Sequence, residues 1–137
     1  MRRISAIYAI KAFLVILILF AINSFAIVVR TDAGVFHVEG VASWYAQFSP
    51  GIRRTTANME IFDHDKMTCA IWDLPFNTVL EVTNLNNGKK VLVRVNDRGP
   101  AKRLCREGRV IDLTMAAFDE IEDLEKGLTE VRVRIAE

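Results

Sequence analysis

Among the residues able to do chemistry, Asp97 has the most informative position. It follows Val91, Val93 and Val95, apolar residues spaced two apart, and is in phase with them. A strand with that pattern delivers its last side chain to a rim, where partial loss of water raises a carboxyl toward the range of a general acid. The run Asp97-Arg98-Gly99-Pro100 also fits plain turn chemistry, with the carboxylate bonding backbone amides or pairing with Arg98. Both uses stay open from the residues alone. Trp44, Tyr45 and Trp72 are candidate platforms for sugar rings, whose C–H faces stack on aromatics. Core packing is the competing use of each. Asp63-His64-Asp65 has the residue types of a metal site, but adjacent loop residues seldom converge on one ion, so no metal is expected. The sequence holds no glycine-rich phosphate loop and no Ser–His or Cys–His arrangement that stands out, and no cofactor is expected.

The elements that must position Asp97 are short. Val38 to Tyr45 is rich in β-formers, Ser49-Pro50-Gly51 marks a turn, and Thr55 to Asp65 is polar and loop-like. Met67 to Trp72 is a brief apolar run. Thr78 to Thr83 alternates, with Val79, Leu80 and Val82 as its apolar side. Asn87-Gly88 then predicts a hairpin into Lys90 to Val95. Val110 to Leu113 is another strand. Thr114 can cap a helix running to about Ile121, with Met115 and Phe118 on one face. Leu128 to Ile135 closes the chain, Val131, Val133 and Ile135 opposing Arg132 and Arg134. Six or so short strands, a hairpin and one or two short helices predict a mainly β, small closed barrel, since an open sheet of this size would leave long apolar edges.

The 137 residues suit one domain of ordinary size. A net charge of +1 argues against a nucleic-acid partner. Arg2, Arg3 and Lys11 precede the uncharged run Ala12 to Ile22, and Ser24-Phe25-Ala26 offers a small-residue exit, the layout of an export signal. The apolar stretch Ala12 to Val29 is also roughly 27 Å long as a helix, marginal for a membrane anchor. The expected organisation is therefore a signal peptide or anchor over 1–26, a connector over 27–37 and a barrel over 38–137. The barrel faces the periplasm or cell envelope, held to the plasma membrane only if the leader is retained; no cysteine follows the apolar run to form a lipobox. Without residues 1–26 the chain keeps 15 basic and 17 acidic side chains, a formal charge of −2, pointing to a neutral or weakly charged partner. Cys69 and Cys105 either pair, closing a loop of about 36 residues worth roughly 4 kcal/mol, or stay as small apolar side chains.

Six ordered motifs go further. They are Gly40-Val41-Ala42-Ser43-Trp44-Tyr45, Thr56-Ala57-Asn58-Met59-Glu60-Ile61-Phe62-Asp63, Leu74-Pro75-Phe76-Asn77-Thr78, Val82 to Gly88, Val93 to Pro100, and Arg109-Val110-Ile111-Asp112-Leu113-Thr114. From Glu39 to Ile135 the chain resembles the rare lipoprotein A (RlpA) family of double-psi β-barrels, related to the expansin barrel. The resemblance implies a six-stranded double-psi barrel with a sugar-binding groove. It also implies septal or envelope peptidoglycan as substrate and lytic transglycosylase activity, with cell-division or envelope proteins as further partners. In that reaction the substrate's own C6 hydroxyl attacks C1, so one carboxyl serves as acid and then base. Asp97 falls at the acid position and Glu60 at a second acidic position, as electrostatic stabiliser or hydrogen-bond acceptor. Tyr45, Asn58, Arg98 and Trp44 fall near the substrate, while Asp63 and Asp112 read as structural carboxylates. Two departures stand out. Met59 replaces the family's usual glycine, and Ile71 replaces a histidine thought to support the acidic site; isoleucine can neither donate nor accept a proton. A non-catalytic, expansin-like glycan-binding module is the alternative that Ile71 keeps open.

Overall fold

The computed structural model describes residues 36–137, so the leader and nearly all of the connector lie outside the described residues. Six strands follow one another: β1 (His37–Tyr45), β2 (Thr68–Ala70), β3 (Val79–Asn84), β4 (Lys90–Asp97), β5 (Arg109–Thr114) and β6 (Leu128–Ile135). Two short helices, α1 (Lys102–Cys105) and α2 (Met115–Asp119), and a 3₁₀ turn at Leu124–Lys126 complete the described elements. The strands close into a barrel in the order β1-β5-β2-β4-β3-β6. β1 with β5 and β2 with β4 run parallel, and the other four pairs antiparallel. Closure leaves no exposed strand edge. Period-two alternation sends Leu80, Val82, Val93, Val95, Ile111, Leu113, Val131 and Val133 into a fully buried interior, which Phe118 and Ile121 join.

Several local expectations are corrected. Val79 faces outward, and the third inward position of β3 belongs to Asn84. Burying that amide is tolerated because its Nδ2 donates to Ile121 O at 2.8 Å and to Glu122 Oε2 at 3.1 Å. The run 67–72 yields only the three-residue β2. The expected hairpin forms, through the loop 85–89. Asn84 N and Lys89 O close it at 2.8 Å, with Gly88 at φ 75°. Thr114 makes no side-chain cap: its Oγ1 donates to Lys66 O at 2.6 Å, and α2 ends at Asp119. Both cysteines are free, Cys69 buried in the interior and Cys105 on α1.

The parallel β1–β5 contact is unusually close at Gly40. A Cβ there would lie 2.4 Å from Val110 Cγ1 and 2.7 Å from Gly108 O, beside the Val41 N to Gly108 O bond of 2.9 Å. Gly40→Ala should therefore destabilise the barrel by about 1–3 kcal/mol. The expected readout is a lower urea midpoint with an unchanged slope.

Candidate active site

The site begins with a slip in register. Cys69 pairs with Val95, yet its neighbour Ala70 pairs with Asp97, so β4 carries one extra residue, Asn96, against β2. Such a bulge breaks alternation and re-aims side chains. Asn96 and Asp97 are consequently both drawn toward the loop between β1 and β2. Asn96 is buried, and its Nδ2 donates to Glu60 Oε2 at 3.1 Å. Asp97 Oδ1 accepts from the backbone N of Ala57 and of Arg98, both at 2.9 Å, and Oδ2 accepts from the Tyr45 hydroxyl at 3.3 Å. Tyr45 lies stacked on Phe62, centroids 4.6 Å apart. Burial and the Asp97 charge push its hydroxyl far above the ordinary tyrosine value, so it stays a donor.

The loop that supplies Ala57 is tied down by its own side chains. Thr55 and Ile61 bridge, and Thr56 N donates to Glu60 O at 2.9 Å. Asn58 accepts from Thr56 Oγ1 at 2.6 Å and donates to Glu60 Oε1 at 2.8 Å. Arg94 on β4 grips Glu60 in a two-pronged pair, Nη1 to Oε1 at 2.7 Å and Nη2 to Oε2 at 2.9 Å. Bonds from Arg94, Asn96 and Asn58 hold the Glu60 carboxyl at a pKa of about 2. Glu60 is thus a fixed carboxylate with every bonding direction toward its neighbours used. Neither Arg94 nor the Ala57 amide could be singled out from sequence.

Behind Asp97 sits a second carboxyl. Ala70 pairs with Asp97 on one side and Asp112 of β5 on the other, placing the two acids on strands flanking β2. Asp112 accepts a bond from the Ser43 hydroxyl. Burial raises its pKa, against the opposing pull of Ser43 and Arg109, while the Asp97 charge adds to the rise. Gly99 leaves room for it: a Cβ there would come within 3.2 Å of Asp112 Oδ2. Its match to the family pattern was the only sequence signal for Asp112.

A cavity of about 590 Å³ opens in front, with Asp97, Arg98, Thr56, Phe62, Trp72 and Met59 among its lining residues. That volume suits a small ligand or a few sugar units. Arg98 lines it with a guanidinium already engaged, stacked 3.9 Å over Phe76 and bonded to Ile71 O at 3.0 Å. Trp72 lines it with its N–H held on Pro100 O at 2.7 Å, and Lys102 Nζ sits 3.8 Å over its ring. Trp44 is elsewhere: it packs against the barrel interior and donates to Leu124 O at 3.1 Å, which removes it from the groove. Tyr45 lies beneath Asp97, off the cavity surface. His64 contacts Gln47 and Phe48, away from Asp97.

A family model for the lytic transglycolases matches residues 37–133. The chain belongs to the RlpA-like lytic transglycolase family. Within it, the chain is similar to the endolytic peptidoglycan transglycosylase RlpA of Campylobacter jejuni, 42% identical over 71% of this chain and 33% of that protein. It is also similar to the enzyme of the same name from Pseudomonas aeruginosa, 44% identical over 74% of this chain and 28% of that one. The chain spans about a third of the length of these curated relatives. Among solved structures, a mutant Clavibacter michiganensis expansin in complex with cellohexaose is similar in fold, with a TM-score of 0.54 and 25% identity over 74% of this chain and 51% of that one.

Both departures from the family pattern have a structural setting. Ile71 is buried in the interior cluster, and its backbone N donates to Asp97 O at 3.3 Å. Met59 holds φ 71°, a left-handed conformation costing about 1–2 kcal/mol for a side chain larger than glycine. The other two described non-glycine residues there, Asp73 and Asn77, belong to types that tolerate it.

The Glu60 clamp makes a pH prediction. Its folded pKa is depressed from 4.5, so its stabilisation is complete above about pH 4.5 and is lost as the pH falls toward 2. The urea midpoint of the wild type should drop across that window. Glu60→Gln should show a smaller drop, with the portion due to Glu122, also held at about 2, remaining.

Proposed function

We propose that this barrel cleaves the glycan strands of bacterial peptidoglycan as an endolytic transglycosylase, leaving 1,6-anhydro ends. The observation that carries the reading is Asp97, the one carboxyl among the residues lining the cavity, held by Ala57 N, Arg98 N and Tyr45. Its Oδ2 has only the 3.3 Å bond from Tyr45 among the described residues, which leaves acceptor or donor capacity for a substrate. In its protonated form Asp97 gives a proton to the glycosidic oxygen as the bond to C1 breaks. The C6 hydroxyl of the same sugar then closes on C1, and its proton passes to the Asp97 carboxylate, restoring the acid. No second carboxylate need activate water, and Glu60, saturated by Arg94, Asn96 and Asn58, is assigned to holding the loop that presents Ala57. Glu60 is thereby a positioning residue rather than the electrostatic stabiliser or substrate hydrogen-bond acceptor that the family resemblance implies. Asn58 serves the same loop, and Arg98 shapes the groove wall with a cation already spoken for. Trp72 is the preferred stacking platform, because it lines the cavity with one face covered by Lys102 and its N–H fixed.

The relatives named as transglycosylases support the activity. Such a substrate places the barrel outside the plasma membrane, in keeping with the exported layout of residues 1–26, whether signal or anchor. One observation favours a second reading. Ile71 supplies no proton-exchanging group beside Asp97, so a barrel that binds glycan without cutting it is the alternative.

Digestion of purified sacculi and of peptide-free glycan strands, read by mass spectrometry, separates the two. The expected result is anhydro-ended fragments whose formation falls about 100-fold or more in Asp97→Asn. Glycan left intact but retained by the protein would establish the binding module instead.

A further inference from the structure

Met59 combines three features, and its side chain has no structural use in the loop it occupies. Its side chain is 77% exposed, its backbone is left-handed at φ 71°, and it lines the cavity that holds Asp97. The left-handed backbone belongs to the turn closed by the Thr56 N to Glu60 O bond, but neither that turn nor the clamp around Glu60 uses an atom of the Met59 side chain. Its main-chain N–H bond to Thr56 O at 3.0 Å would survive any substitution except proline. A largely exposed side chain in a conformation suited to glycine carries a fold cost. Strain of that kind, where the surroundings over-determine the backbone, collects at ligand-contact positions.

We infer that the Met59 thioether is an apolar contact for an N-acetylated sugar unit bound beside Asp97, making Met59 a specificity-determining residue of the groove. The inference rests on the glycan reading above and deepens it. The chemistry fits the cavity's composition. Ile52, Phe62 and Trp72 provide further apolar lining, while Thr55, Thr56 and Arg53 provide polar groups. A flexible, polarisable thioether adapts its shape to a neighbouring methyl group, and the acetamido group is where an N-acetylhexosamine carries one. A plain hexose offers hydroxyls there and gains nothing from Met59. Where the family usually carries glycine, the contact is missing and the groove is wider by one side chain.

The test compares the full-length wild type with Met59→Gly and Met59→Leu, using hexamers of N-acetylglucosamine and cellohexaose in calorimetric titrations, alongside thermal melts. The expected pattern is a loss of affinity for the N-acetylated hexamer of about four- to tenfold in Met59→Gly. Met59→Leu retains most of it, and cellohexaose binding is the same in all three proteins. Met59→Gly should melt at the wild-type temperature or a few degrees higher, so that the lost affinity cannot be ascribed to misfolding. Equal affinity of wild type and Met59→Gly for the N-acetylated hexamer would overturn the inference while leaving the glycan reading intact. So would an equal loss for both oligosaccharides. A wild type that binds neither oligosaccharide, nor peptide-free wall glycan offered in the same titration, would remove the glycan reading and this inference with it.

Discussion

The β2–β4 ladder steps from Cys69–Val95 to Ala70–Asp97, and the extra residue in that step decides the rest of the site. Had alternation continued unbroken beyond Val95, Asn96 would face away from the interior and Asp97 would turn back toward it. With the bulge, both are drawn to the loop over 55–61, where Asn96 meets Glu60 and Asp97 meets the Ala57 amide. A barrel rim is where such an irregularity costs least, because the ladder ends there anyway. Gly99 follows at once, its missing side chain leaving space for Asp112.

Three carboxyl groups then divide the work through their surroundings. Glu60 is saturated by a two-pronged arginine and two amides, which fixes its charge and makes it a structural anchor. Asp112 is buried behind a serine hydroxyl, and burial raises its affinity for a proton. Asp97 differs from both in its setting: it is oriented by two backbone amides and a tyrosine and is open to the cavity. In the proposed reaction this arrangement leaves Asp97 as the acid although an isoleucine fills the place of the family histidine. Ile71 contributes through its main chain, which holds the backbone of Asp97 on one side and the side chain of Arg98 on the other.

Much of the barrel was legible because burial enforces period two. Val91, Val93 and Val95 identified β4, Val131 and Val133 identified β6, and short strands with turn signals implied closure. The misreadings fall where a polar side chain takes a position that pattern reserves for apolar ones. Val79 is out of phase with Leu80 and Val82, so period two itself turns it outward, and Asn84 takes the third inward position because a second element supplies acceptors for its amide. Thr114 abandons helix capping for the Lys66 carbonyl, again a partner distant in sequence. In the site, Asp97 was visible as a residue, but the reason it faces the cavity was not, since a bulge depends on pairing between strands. Trp44 and Tyr45 looked alike in sequence, yet one packs against the interior and the other lies under the acid. Glu60 stood out only through the family pattern, and its partner Arg94 carried no signal beyond being a charged residue on an outer strand face.

The central claim is that a single oriented carboxyl, without activated water, breaks the glycosidic bond. Digesting peptide-free wall glycan in water enriched with oxygen-18 tests it directly. New ends that are 1,6-anhydro and free of the label are the predicted result. New reducing ends carrying oxygen-18 at C1 would show that water is the nucleophile and would contradict the account.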